Sequence, residues 1–154
     1  TITGKLKKNL LPLYISAQIL GWLLDVALAN FFIQHQVIEL STKSRNGIYI
    51  FTSEIVATLG LILIIFGSMK SGKIAVAGSV GLYITAGYWF TSSTSFANPA
   101  VTIARTFTES FTGISYLNTP YYIAAELIGM LIAIYFVKKI FLNKWITRGS
   151  NCSN

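Results

Sequence analysis

Charge is what this sequence has least of. Asp, Glu, Lys and Arg make up 11% of its 154 residues, against roughly 25% in an ordinary soluble domain. One cysteine, Cys152, excludes a disulfide framework within the chain and cannot anchor a metal site. One histidine, His35, falls in a predicted loop and reads as a solvated residue. No nucleophile–base pair, metal-ligand cluster or phosphate-binding loop stands out, so the residues point to no enzyme and no cofactor. Five acidic residues against twelve basic ones leave a net charge of +7, which would suit nucleic acid if the bases were clustered on one surface. Their positions give a different meaning.

What the chain does have is apolar length. It is 53% hydrophobic, with a mean hydropathy of +0.61, the signature of a multi-pass membrane protein whose partner is the lipid bilayer. The apolar runs predict spans over about 10–33, 48–69, 74–90 and 121–137. Each falls in the range of about 17–25 residues that crosses a bilayer. A polar tail follows from 142 to 154. With four spans both ends lie on one side. Lys5, Lys7, Lys8, Lys70, Lys73, Lys138, Lys139, Lys144 and Arg148 all fall on that side, whereas only Lys43, Arg45 and Arg105 fall opposite. By the positive-inside rule the richer face is cytoplasmic, in a cell (inner or plasma) membrane. The excess charge is thus a topology signal and not a nucleic-acid patch.

Each span carries a stripe of small or polar residues at helical spacing. They are Gln18, Gly21 and Asp25; Ala57, Gly60, Ile64 and Gly67; Gly78, Gly81 and Thr85; and Glu126, Gly129 and Ala133. Small residues let membrane helices approach closely, so most of these stripes are expected to be packing seams. Carboxylates in a bilayer are costly, so Glu54 and Glu126 are expected to face the protein interior. A buried hydrogen-bonding role is also expected of Asp25.

Between the third and fourth spans lies a Thr/Ser-rich turn followed by Asn98-Pro99-Ala100-Val101-Thr102-Ile103-Ala104-Arg105. Asn is a favoured N-cap and Pro suits the first helical position. A helix over about 98–108 reaches roughly halfway through a ~30 Å hydrocarbon core. It is predicted to be a re-entrant half-span.

The chain also repeats itself. Residues Pro12 to Gly21 (PLYISAQILG) match Pro120 to Gly129 (PYYIAAELIG) at five of ten positions, an offset of 108 residues. Two spans separate the matched helices, so one runs outward and the other inward. Such inverted repeats place a site near the midplane between the halves. The repeat further predicts two spans and a second half-helix ahead of Pro12, where only eleven residues stand. With no initiating methionine, the sequence reads as the later part of a longer protein.

From about Pro12 to Phe141 these features resemble the aquaporin, or major intrinsic protein, family, and in particular its bacterial branch. The resemblance implies an all-α membrane protein with an aquaporin-like inverted-repeat bundle. Residues 1–141 would form part of the channel domain: spans three to six and the second of two Asn-Pro-Ala half-helices. It implies a passive channel for water or small uncharged solutes, assembled as a homotetramer, with Asn98, Pro99 and Ala100 at the pore. The Asn98 oxygen would cap the half-helix while its amide donates to passing solute. Half-helix dipoles are a general selectivity device of such pores. Glu54 matches a family glutamate thought to accept from backbone N–H groups ahead of the half-helix.

One position departs from the common water channels. Val101 stands where they carry an arginine that narrows the outer constriction. Arg105, a turn later, would reach the pore mouth, pair with Glu109 or stay solvated. The facing side of the filter would come from Thr85 or Ala86, both small. A less polar and wider constriction follows. The residues leave two other readings open: a secondary transporter, which would need titratable groups at the midplane, and a non-conducting membrane partner or remnant.

Overall fold

A computed structural model describes residues 8–142. Lys5, Lys7, Lys144, Arg148, Cys152 and the polar tail lie outside the described residues. Among those described there are five α-helices and no strand: α1 (Leu11–Phe32), α2 (Ile48–Ser68), α3 (Lys73–Phe90), α4 (Pro99–Ala104) and α5 (Thr119–Val137). They fall into two compact units. The first comprises residues 8–45 and 98–120, the second 46–97 and 121–142.

The long helices are apolar on faces that no part of the chain covers. On α1, Leu13, Leu20, Leu24, Leu28 and Phe31 are each more than half exposed. Water would not tolerate so continuous an apolar surface, and lipid does. Two helical stretches, Leu11–Phe32 and Ile48–Ser71, are long and apolar enough to cross a membrane by length and composition. The other two long helices, at 18 and 19 residues, have about 27–29 Å of rise but are diluted by glycine, tyrosine and, in α5, Glu126. Several hydroxyls within the helices are satisfied by their own backbone. Ser16 Oγ donates to Pro12 O at 2.9 Å and Ser68 Oγ to Ile64 O at 2.7 Å, as groups facing lipid must.

In the second unit α2 packs against α3 and α5 through small residues. Tyr83 of α3 lies across Gly60 of α2 and donates its hydroxyl to Ala57 O at 3.0 Å. A Cβ on Gly129 of α5 would stand 2.6 Å from Ile55 O of α2, so only glycine allows that approach. In the first unit α1 packs against α4. The short helix is briefer than the sequence predicts. Six α-helical residues end at Ala104, a 3-10 turn runs over Arg105–Phe107, and Thr108 is already extended. The β-branched Thr102, Ile103, Thr106 and Thr108 favour helix weakly. The chain here pairs instead with an extended segment: Ser41 N–H donates to Thr106 O at 2.9 Å and Ser115 N–H to Lys43 O at 2.8 Å.

Candidate functional site

The loop of the second unit that leads to the Asn-Pro-Ala sequence is irregular yet buried. Ser93, Thr94, Ser95, Phe96 and Ala97 are all at most 8% exposed. Non-helical backbone at membrane depth is tolerable only when its polar groups are satisfied inside the protein, and α2 and α3 supply partners to several of them. Thr91 N–H and Oγ1 both reach Gly87 O, at 3.1 and 2.6 Å, closing α3. Ser92 N–H donates to Ser53 Oγ at 3.0 Å, and Ser92 Oγ to Tyr49 O at 3.2 Å, both on α2. Glu54, wholly buried on α2, accepts from Phe96 N–H at 3.3 Å and from Ala97 N–H.

Those two bonds fix the direction of the loop. The peptides are trans, so each carbonyl points opposite to the N–H of its own peptide plane. With the N–H groups of Phe96 and Ala97 turned to Glu54, the carbonyls of Ser95 and Phe96 point away from it. The conformation is strained. Thr94, Ser95 and Ala97 have φ of 63°, 51° and 50°, a region that costs a non-glycine residue about 1–2 kcal/mol. Nothing in the sequence marks them, since none is glycine. Ala97→Gly is therefore expected to raise stability by about 1 kcal/mol, read as a higher thermal midpoint of the purified protein in detergent. Close packing also holds the loop down: a Cβ on Gly87 would stand 2.7 Å from Ser95 Oγ.

Asn98, in the first unit, directly follows. Its Oδ1 accepts from Ala100 N–H at 2.9 Å, with Pro99 at the first helical position. Ala100, Val101, Thr102 and Ala104 are buried on α4. Thr85 and Ala86 belong to α3 of the second unit and are exposed; Thr85 Oγ1 donates to Gly81 O at 2.8 Å.

Arg105 does not form the ion pair with Glu109 that helical spacing allows. The helix has ended, so residues four apart no longer face each other. Arg105 Nη1 donates to Thr112 Oγ1 at 2.5 Å. Glu109 instead accepts from Thr42 N–H at 2.9 Å and Thr42 Oγ1 at 3.0 Å. Lys43 Nζ donates to Glu109 O and Ser110 O, both at 2.7 Å. The Thr42 N–H, more than any other group, holds the Glu109 carboxyl below its ordinary pKa, with Lys43 adding to the effect. Because the folded value is the lower one, this clamp stabilises fully above the unfolded carboxylate value, about 4.3. Its contribution is lost as pH falls through the folded value. Glu109→Gln is thus expected to lower the thermal midpoint at neutral pH and to converge with wild type in acid.

Sequence reasoning missed Asn30. It is 1% exposed in the last turns of α1, where its Nδ2 donates to Val37 O at 3.3 Å and Phe107 O at 3.2 Å. Its Oδ1 accepts from Thr108 Oγ1 at 2.5 Å. One side chain thereby ties α1 to the chain leaving α4. The available signal was an amide inside an otherwise apolar helix end. Asn30→Leu is expected to cost about 2–4 kcal/mol, since it strands several buried polar groups at once; chemical or thermal unfolding in detergent measures it.

The all-helical membrane fold, the internal inverted repeat and the Asn-Pro-Ala half-helix define a class, and the chain belongs to the aquaporin (major intrinsic protein) family. It is 40% identical over 137 residues to aquaglyceroporin AqpS of Rhizobium meliloti (strain 1021), a match covering 89% of this chain and 59% of that protein. The chain thus spans less than two thirds of its curated relative's length. No family model matches the chain, and no solved structure does.

Proposed function

We propose that the full-length protein containing this chain is a passive channel for water and small uncharged solutes, with glycerol as the apt probe. The observation that carries this is the Glu54 bridge. A buried carboxylate on α2 holds a strained loop in one direction, so that it aims two carbonyls away from itself and delivers a capped Asn-Pro-Ala helix start. Such a loop offers fixed acceptors to a file of hydroxyl-bearing molecules. Half-helix dipoles in pores of this type oppose cations. Asn98, Pro99 and Ala100 would line the constriction. Val101, in the arginine's place, with Thr85 and Ala86 opposite, would leave the filter wide enough for a polyol. Arg105, turned to Thr112, would brace the exit of the half-helix.

The reading extends to four spans, a homotetramer, and a cell membrane in which the lysine-rich face is cytoplasmic. The chain's likeness to an aquaglyceroporin supports the solute class. The test is uptake of labelled glycerol by proteoliposomes carrying the full-length protein. Uptake linear in concentration and indifferent to collapse of proton and sodium gradients is expected. Saturable uptake that stops when a gradient is collapsed would move the protein to the secondary transporters.

A further inference from the structure

The loop that aims the carbonyls of Ser95 and Phe96 is gripped from a second side. Phe96 is 5% exposed, and its ring lies against that of Tyr122 on α5, with centroids 5.0 Å apart and planes 33° from parallel. Tyr122 is the largest fully buried side chain among the described residues. α5 is a firm base for it. The missing side chain of Gly129 lets α5 meet the α2 backbone at Ile55, and Tyr121 packs on Phe51 of α2 with ring centroids 4.7 Å apart.

Phe96 is also the one residue from 94 to 97 without a positive φ. Its N–H reaches Glu54 at 3.3 Å, a little longer than the usual N–H···O bond, so that contact alone would let the residue pivot. The ring removes the pivot. On a tetrahedral Cα, fixing the directions of the nitrogen and of Cβ fixes the carbonyl carbon as well.

We propose that Tyr122 is a positioning residue for solute selection: through the ring of Phe96 it sets where the acceptors of the loop stand, and thereby the balance between polyol and water. This deepens the channel reading and rests on it. Tyr122 touches no solute. A water molecule can satisfy a displaced acceptor by turning, whereas a polyol carries its hydroxyls at fixed spacing and needs the acceptors in register. Such register is kept only within about 0.5 Å. Without the ring, the left-handed neighbours of Phe96 lose a restraint that holds them in strained backbone.

Glycerol and water permeabilities of vesicles carrying the full-length protein, measured by stopped flow and corrected for empty vesicles, test this. Their ratio does not depend on how many channels fold, so a loss of folded protein alone leaves it unmoved. Tyr122→Leu and Phe96→Leu are each expected to lower the glycerol-to-water ratio roughly threefold, the scale of one aromatic pair. The double variant is expected to go no further, because both substitutions remove the same contact. Tyr122→Phe keeps the ring and is expected to hold the wild-type ratio. If Tyr122→Leu does not fold, Phe96→Leu against wild type carries the same comparison. An unmoved ratio in the leucine variants, additive shifts in the double variant, or an equal fall in Tyr122→Phe would overturn the proposal alone. A wild type no more permeable than empty vesicles would overturn the channel reading and the proposal with it.

Discussion

Replacing Glu54 by leucine is expected to abolish stable folding of the protein, and replacing it by glutamine to weaken it severely. The carboxylate is wholly buried and accepts from two backbone N–H groups of the loop that precedes Asn98. Leucine would leave both donors without an acceptor in a site closed to water. Each buried donor left unsatisfied costs about 1–3 kcal/mol, and two together take a large share of the roughly 5–15 kcal/mol that holds a typical domain together. The strain in Thr94, Ser95 and Ala97 adds to the effect. Those residues stay in left-handed backbone only because the surrounding structure over-determines them, and Glu54 is the chief restraint. Glutamine keeps one acceptor oxygen but turns an NH₂ toward a donor. Fluorescence-detected gel filtration of the solubilised protein separates the cases. A sharp peak for wild type, a reduced one for Glu54→Gln and aggregate for Glu54→Leu are expected. Equal peaks would mean that the loop is held by something else.

The second large effect is on solute choice. Val101→Arg is expected to cut glycerol permeability by roughly tenfold or more, the effect of about 1.4 kcal/mol on the barrier, while water permeability falls much less. If Val101 lines the filter as proposed, a guanidinium here would narrow it and add fixed donors that water satisfies more readily than a bulkier polyol. Val101 is 6% exposed on α4, so Val101→Leu serves as a control for crowding without charge. Stopped-flow light scattering on vesicles gives both permeabilities from one preparation. An equal fall in both would show that Val101 bears on folding and not on selection.

The residues that announced the fold were those whose chemistry is local. Asn98 and Pro99 are a cap and a first-turn residue in any helix, so the start of α4 was legible at once. Its end was not. The β-branched residues beyond Ala104 leave the helix to pair with residues 39–43, a long-range contact that no local spacing encodes. Of the readings open for Arg105, the pairing with Glu109 fails for the same reason, since an i,i+4 pair presumes a helix that has already stopped. Glu54 was legible as an interior acid from the cost of a carboxylate in lipid, while its partners came only through the family resemblance. The left-handed residues of the loop were hidden because threonine, serine and alanine adopt that backbone under tertiary constraint and not by preference. Asn30 was passed over because a single amide in an apolar helix has no motif. Its meaning lies with Val37, Phe107 and Thr108, the last two far along the chain. Asp25 was expected to be buried by the cost of a carboxylate in lipid, yet it is exposed on α1 among the described residues.

The most direct test of the central claim is osmotic shrinkage of proteoliposomes carrying the full-length protein, followed by stopped-flow scattering. Rapid shrinkage with a low activation energy, followed by fast reswelling when glycerol is the osmolyte, is the predicted result. Rates equal to those of empty vesicles, from protein shown to be folded and inserted, would contradict it.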